Sequence, residues 1–494
     1  LRSLTRTSGA GAALACALLA VTPPPPASAQ ITTAEYAARR AALAERVDSG
    51  IVIAFGGREP VRHWPPFYQL PAFRYLTGFL QSDAAFVMVR RGGRTAETLF
   101  VARPDARSAL YNAERPTLAD VSAELGLPAR YTDDFAAYVD SLVALRLPVY
   151  AVADIQAAEF SAADTLSAGR VFARGLEARH AGLEVTEING WVDQLRAKKS
   201  DAEIALLKKA AEISSRAHEE AMRGIRPGMR ESEIQAIMEA TYRRLGADGP
   251  GYSSIVGSGP NSTVLHHPAG NRIAKSGEVV LMDVAAYFDG YSADITRAVP
   301  VDGTFSQDMR DVYTVVLDAQ KAAERQIRPG TPRNVPTDSA YAVLRTGLVR
   351  LGLIESVDAS FDPPPGLCPG SWANPDGSCP QWYLYVYHGF LHGIGLDVHD
   401  PSQYANVPPY QYQPGDVFTI EPGLYVREGV FDGLPDTPRN RALIERTRSA
   451  AERYRNVGVR IEDDYVLTRE GLVRLSDVPR EIDEIEKLRG RVIS

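Results

Sequence analysis

Residues 279–299 place an Asp-Gly pair between two apolar, β-branched runs, a pattern that little other than an antiparallel hairpin accommodates. Val279 to Ala286 is one arm, Asp289-Gly290 the turn, and Tyr291 to Val299 the return. The turn sets the register: Asp283 falls opposite Thr296. Asp294, two residues along, is then diagonal to Asp283 and on the same face, because side chains alternate along a strand with period two. Two carboxylates converge on one surface. Alone, such a pair reads as decoration of a solvated face, and only later stretches of the chain change that reading.

A chain of 494 residues is too long for one core and divides into two or three domains. Its formal charge of −7 argues against a nucleic-acid partner, which would want a basic face. Residues 1–29 read as a signal peptide: Arg2 and Arg6 precede an apolar run at 9–21 that is too short to span a bilayer, and Ala27-Ser28-Ala29 is a small-x-small cleavage site. The expectation is export to the periplasm or beyond the cell, a mature chain starting near Gln30, and no membrane span within it. Lipidation at Cys16 is the alternative to simple cleavage. Cys368 and Cys379 bracket a short Pro/Gly-rich loop, which in an oxidising compartment closes readily into a disulfide; free thiols are the other reading.

Residues 30–180 alternate apolar runs (51–57, 85–89, 98–102, 147–153) with helical spacing at 35–47 and 134–146, an α/β domain. FRYLTGF (73–79) reads as a packed aromatic turn, or else as a surface reaching a neighbouring subunit. A linker is expected over 181–200, where Ser200 and Glu203 form a capping box opening a long helix. From there to 476, helices near 201–226, 306–328 and 337–352 interleave with antiparallel strands, an α+β domain; 477–494 is left as a helical tail.

Five of the eight histidines fall in two stretches: His266 and His267, then His388, His392 and His399 among Gly389, Gly393 and Gly395. Those glycines break a regular helix and let the backbone approach a ligand. Glu421, in VFTIEPG, and Glu462, in VRIEDD, each sit where a β-branched run stops. With Asp283, Asp294 and His392 they make four carboxylates and one imidazole, a donor set suited to hard cations. Two carboxylates about 4 Å apart repel by roughly 4 kcal/mol at an effective dielectric near 20, so four in one pocket need cations or protons. One divalent ion is too little charge.

The blocks MDVAAYFDGYSADITR, HGFLHGIGLDVHD, TIEPGLY and VRIED, with IVGSGPNSTVLHH upstream, resemble in order the metal-ligand blocks of the pita-bread metallopeptidases, in the Xaa-Pro aminopeptidase and prolidase group. FRYLTGF and the strands of 51–102 are similar to the creatinase-like first domain of that family, and KKSDAEIALLKKAAEIS to its junction with the catalytic domain. The resemblance implies a creatinase-like α/β domain followed by a pita-bread catalytic domain. It implies two divalent ions, manganese by the family's habit and cobalt, zinc or iron equally allowed by the donors. Asp294 and Glu462 are then expected to bridge them, Asp283 to bind one, and His392 and Glu421 the other.

The implied reaction is removal of an amino-terminal residue that precedes proline, by a hydroxide held between the ions. His266 and His399 are expected to hold substrate, Glu421 to pass a proton to the leaving nitrogen, and His388, Val398 and Arg460 to wall a proline pocket. The implied partners are peptides with proline second; a homo-oligomer is left open. Prolidase is the near alternative, separated by whether tripeptides are cut, and a non-catalytic binding module the distant one, disfavoured by the complete ligand set. Two segments, 358–382 and 427–456, are longer than the family's connections and read as surface decoration or as a rim limiting substrate length.

Overall fold

Gly50–Phe55 is the strand around which the first sheet grows: Ile51 and Ile53 face one apolar core, Val52 and Ala54 the other, so helices must cover both faces. This is seen in a computed structural model that describes residues 30–58, 67–110, 114–153, 167–401 and 411–490. The export signal expected over 1–29, with Cys16, lies outside the described residues. Strand order in the sheet is Ala129–Tyr131, Arg94–Val101, Ala85–Arg91, Gly50–Phe55, Val149–Val152, Val185–Glu187. The last strand and the helix Asn189–Arg196 fall inside the stretch assigned to a linker, so the first domain reaches almost to the catalytic one. Val185–Glu187 is short and polar, and pairing in register with Val149–Ala151 is what makes it a strand.

FRYLTGF is helical, not a turn. Pro71 starts the helix Pro71–Thr77, Phe73, Leu76 and Thr77 bury its inner face, and Gly78 ends it at φ +71°.

The second domain opens on Asp201–Gly224, capped reciprocally by Ser200 and Glu203. This helix buries Leu207, Ala211, Ser214 and His218, and Glu231–Arg244 packs beside it. The hairpin has the expected register: Asp283 pairs with Thr296, and Asp289 (φ 42°) and Gly290 (φ 81°) form the left-handed two-residue turn between Phe288 and Tyr291. Its arms, expected to be continuous, are each in two pieces, Val279–Asp283 with Ala286–Phe288 and Tyr291–Ser292 with Thr296–Pro300.

Ile255–Ser258 adds a third strand beside Val279–Asp283. Opposite stand Val417–Ile420 with Asp463–Leu467, and Gly423–Val426 with Val457–Arg460. A bridge between Thr296 and Glu462 joins the two halves. Helices Gln307–Gln326 and Asn334–Arg350 pack against each other, and the former lies behind these strands.

The two long insertions pack on one another. Asp362 accepts hydrogen bonds from Thr437 (2.5 Å) and Arg439 (2.7 Å), ahead of and within the helix Pro438–Arg453, and Arg446 reaches Glu355 at 2.5 Å. A disulfide joins Cys368 to Cys379, Cα atoms 6.0 Å apart, and Trp372 within that loop packs against Tyr341 and Trp382. No helix among the described residues is long and apolar enough to cross a membrane.

Candidate metal centre and active site

Asp283 closes a strand, Asp294 lies in the hairpin's gap, Glu462 sits between two strands, and Glu421 follows Val417–Ile420. His392 comes from the glycine-rich segment, which is pinned as an extra edge: Thr419 N–H donates to His392 O and Glu421 N–H to Phe390 O, both at 2.9 Å. Gly395 is required there, since a Cβ would meet the Asp400 carboxylate at 2.7 Å.

These elements bring the donor atoms of Asp283, Asp294 and Glu462 within 4.8 Å of one another, and likewise those of His392, Glu421 and Glu462, and of Asp294, His392 and His399. Glu462, Asp294 and His392 each belong to two of the sets. His392 Nε2 lies 3.4 Å from Asp294, 3.4 Å from Glu421 and 3.8 Å from Glu462. Its Nδ1 is 3.0 Å from Gly393 O, where only an N–H fits, so Nε2 is the atom presented to the acids.

Burial raises the Asp294 carboxyl, helped by the charge of Asp283, and raises Glu462 far above its ordinary value. Glu421 is pushed up to about 7, chiefly by burial. Burial works against charge on His392, but the Asp294 hydrogen bond and the Glu421 charge outweigh it and lift the ring to about 9. Burial and mutual repulsion favour protons on the cluster, against the pull of Arg460 on Glu421 and Glu462. Four carboxylate groups and one imidazole, with residues common to neighbouring sets, fit a pair of divalent cations.

Around the cage, Arg460 makes a buried ion pair with Asp283, donates from Nε to Thr296 Oγ1 at 3.2 Å, and donates to the Tyr425 oxygen at 3.0 Å. The Tyr425 hydroxyl then donates to His388 Nε2 at 2.8 Å, and His388 Nδ1 faces Gly389 O at 2.7 Å. That chain needs a neutral His388, in keeping with burial and Arg460 pushing it down to about 3. His388 Nδ1 lies 3.6 Å from Glu421.

A cavity of about 560 Å³ opens beside the acids, its wall including Asp283, Asp294, His266, Val398 and His399. His388 and Arg460 are off that wall, against Glu421 and Asp283. The first domain supplies Tyr68, Gln69 and Pro71 to it, and Tyr68 meets Tyr287 edge to face at 5.2 Å. Neither insertion, 358–382 or 427–456, contributes a described residue to this wall, which leaves the rim reading without support. Asp400, beside His399, is held by Arg196 (2.6 Å) and Lys199 (2.8 Å) from the junction between domains.

Sequence reasoning passed over Tyr252, whose hydroxyl lies 2.6 Å from Asp283 and 2.7 Å from Asp294. Its signal is positional: it stands three residues before Ile255, which pairs with Asp283.

The model of metallopeptidase family M24 matches residues 205–469, and that of the aminopeptidase P N-terminal domain matches residues 36–150. Xaa-Pro aminopeptidase of Escherichia coli is 31% identical over 471 residues, covering 93% of this chain and 98% of that one. Xaa-Pro aminopeptidase 1 of Streptomyces coelicolor is 29% identical over 476 residues, 92% of this chain and 86% of that one. Aminopeptidase PepP of Pseudomonas aeruginosa superposes with a TM-score of 0.75 at 29% identity, covering 94% of this chain and 99% of that one.

Proposed function

This chain belongs to metallopeptidase family M24, and from that premise we propose that it is a Xaa-Pro aminopeptidase working with two divalent cations, manganese being the assigned metal. The observation that carries the reading is the convergence of Asp283, Asp294, His392, Glu421 and Glu462 through shared donors. Asp294 and Glu462 would hold both cations, Asp283 one of them, and His392 and Glu421 the other. When bound, such a pair supplies Lewis acidity at the scissile carbonyl and brings water toward ionisation near neutral pH.

The remaining chemistry belongs to the protein. His399, pushed down to about 4 by burial and by the charge of His392, stays neutral and holds an N–H for the substrate. His266 shares the cavity wall and is assigned the same kind of contact. Glu421, beside His392, is assigned to deliver a proton to the leaving nitrogen. Val398, on the cavity wall, is assigned to the proline pocket, and His388 and Arg460, joined through Tyr425 and off that wall, are assigned to back it. Export is part of the proposal, and the Cys368–Cys379 disulfide supports an oxidising compartment.

The test is incubation of the metal-loaded protein with Xaa-Pro and Xaa-Pro-Yaa peptides and identification of products. Free Xaa with intact Pro-Yaa is expected, abolished by chelator and restored by Mn²⁺. Cleavage of the dipeptide alone would make the chain a prolidase, and no cleavage of either would overturn the reading.

A further inference from the structure

Between Asp283 and Ala286 on one arm, and between Ser292 and Thr296 on the other, the hairpin has no regular ladder. Backbone groups in such a gap must find partners in the interior. His218, on Asp201–Gly224, places Nε2 at 2.9 Å from Val284 O and 3.1 Å from Ile295 O, so one N–H is shared between a carbonyl on each arm. Ser214, one turn earlier on the same helix, accepts the Ala286 N–H at 2.8 Å while donating to Ala210 O at 2.8 Å. From the opposite side the Asp464 carboxylate accepts the Asp294 N–H at 3.1 and 3.2 Å.

The residue after Asp283 and the residue after Asp294 are thus tied to one imidazole. His218 is wholly buried, and its Nδ1 makes no hydrogen bond among the described residues, which leaves the ring proton on Nε2. Neither His218 nor Ser214 contacts a carboxylate of the cage in any hydrogen bond described; both act on the backbone beneath it. Without the donor, Val284 O loses its partner and Ile295 O keeps only the Val284 N–H at 3.2 Å, so the arms are held less firmly and can shift, carrying the acids with them.

We propose that His218, seconded by Ser214, is a positioning residue that fixes the spacing of Asp283 and Asp294 so that the pair receives cations without rearrangement. This rests on the assignment of both acids as cation ligands. Metal-free wild-type, His218→Leu, His218→Gln and Ser214→Ala proteins are titrated with Mn²⁺ by calorimetry, and their melting is followed separately without metal. His218→Leu is expected to weaken Mn²⁺ binding roughly 10–100-fold, as loss of an outer support does. Glutamine restores an amide N–H at similar reach, so His218→Gln should recover most of that affinity, and Ser214→Ala should show a smaller loss.

Wild-type affinity in His218→Leu, with only a lower melting temperature, overturns the proposal, as does a glutamine variant no better than leucine. Should the leucine variant not fold, Ser214→Ala decides: unchanged affinity there overturns the proposal. No Mn²⁺ binding by the wild type removes the cage itself, and this inference with it. Binding that the variants leave untouched removes the inference alone.

Discussion

The rings of His392 and His399 lie 4.2 Å apart, centroid to centroid, yet their surroundings drive them in opposite directions. His392 is lifted to about 9 by Asp294 and Glu421 against the effect of burial, whereas burial and the His392 charge push His399 down to about 4. Cations need a neutral imidazole and ionised carboxylates, so binding at pH 7 displaces protons, those on His392 among them. Mn²⁺ affinity should therefore climb as pH rises toward 9. Calorimetry in buffers of different ionisation heat counts the released protons; an affinity indifferent to pH would contradict this account.

Asp294 and Asp283 should differ when neutralised. Asp294→Asn removes an assigned bridge and should empty or disorder both cation sites, whereas Asp283→Asn should weaken mainly one. Metal content after dialysis distinguishes them, and equal loss of both ions in the two variants would refute the bridging role.

Arg460 is 3% exposed and holds a charge against Asp283, Tyr425 and Thr296. Replacing it with methionine strands buried Asp283, an effect of about 3–5 kcal/mol in comparable pairs. Bound cations would take over the compensation of Asp283, so the deficit should shrink when Mn²⁺ is added. Denaturant melts with and without metal test this, and an unchanged deficit would argue against Asp283 as a ligand.

His218 adds a pH dependence to the fold. Burial, with Arg297 nearby, pushes its ring down to about 4, while an unfolded histidine takes up a proton below about 6.5. The unfolded state then binds more protons between those values, so stability falls as pH drops from about 6.5 toward 4 and is indifferent to this group above 6.5. The loss amounts to about 3 kcal/mol across the window. His218→Gln should flatten that slope in denaturation curves taken at a series of pH values.

Opening the Cys368–Cys379 bridge by double serine substitution should cost about 2–4 kcal/mol. Because neither insertion supplies a described residue to the cavity wall, kcat/KM on Xaa-Pro-Yaa and on longer peptides should fall together or not at all. A change in length preference would restore the rim reading.

The pairing of Asp283 with Thr296 was legible because a two-residue Asp-Gly turn leaves one register, whereas the five donors, each unexceptional alone, stand out only through the resemblance of their blocks to the metal-ligand blocks of the family. The gap in the hairpin was not. It is sustained by His218 and Asp464, 66 and 170 residues from the groups they satisfy, and no local pattern encodes a partner so distant. FRYLTGF reads as a turn in the sequence because seven residues are too few for helical periodicity to declare itself, though Pro71 and Gly78 mark both ends of the helix. Val185–Glu187 carries no alternation and becomes a strand only through its neighbour. Tyr252 differs in no local way from a core tyrosine.

Tyr68, Gln69 and Pro71 belong to a domain with its own sheet and one apolar core to itself, yet they face the cavity of the other. The mouth of the site is therefore a joint inheritance. A lineage that exchanged its front module for a relative's would keep every cation donor and still acquire a different doorway, along with new terms for the Arg196–Lys199–Asp400 anchor that steadies His399. Drift in substrate choice can thus proceed in one half of the gene while the reacting centre in the other stands unaltered.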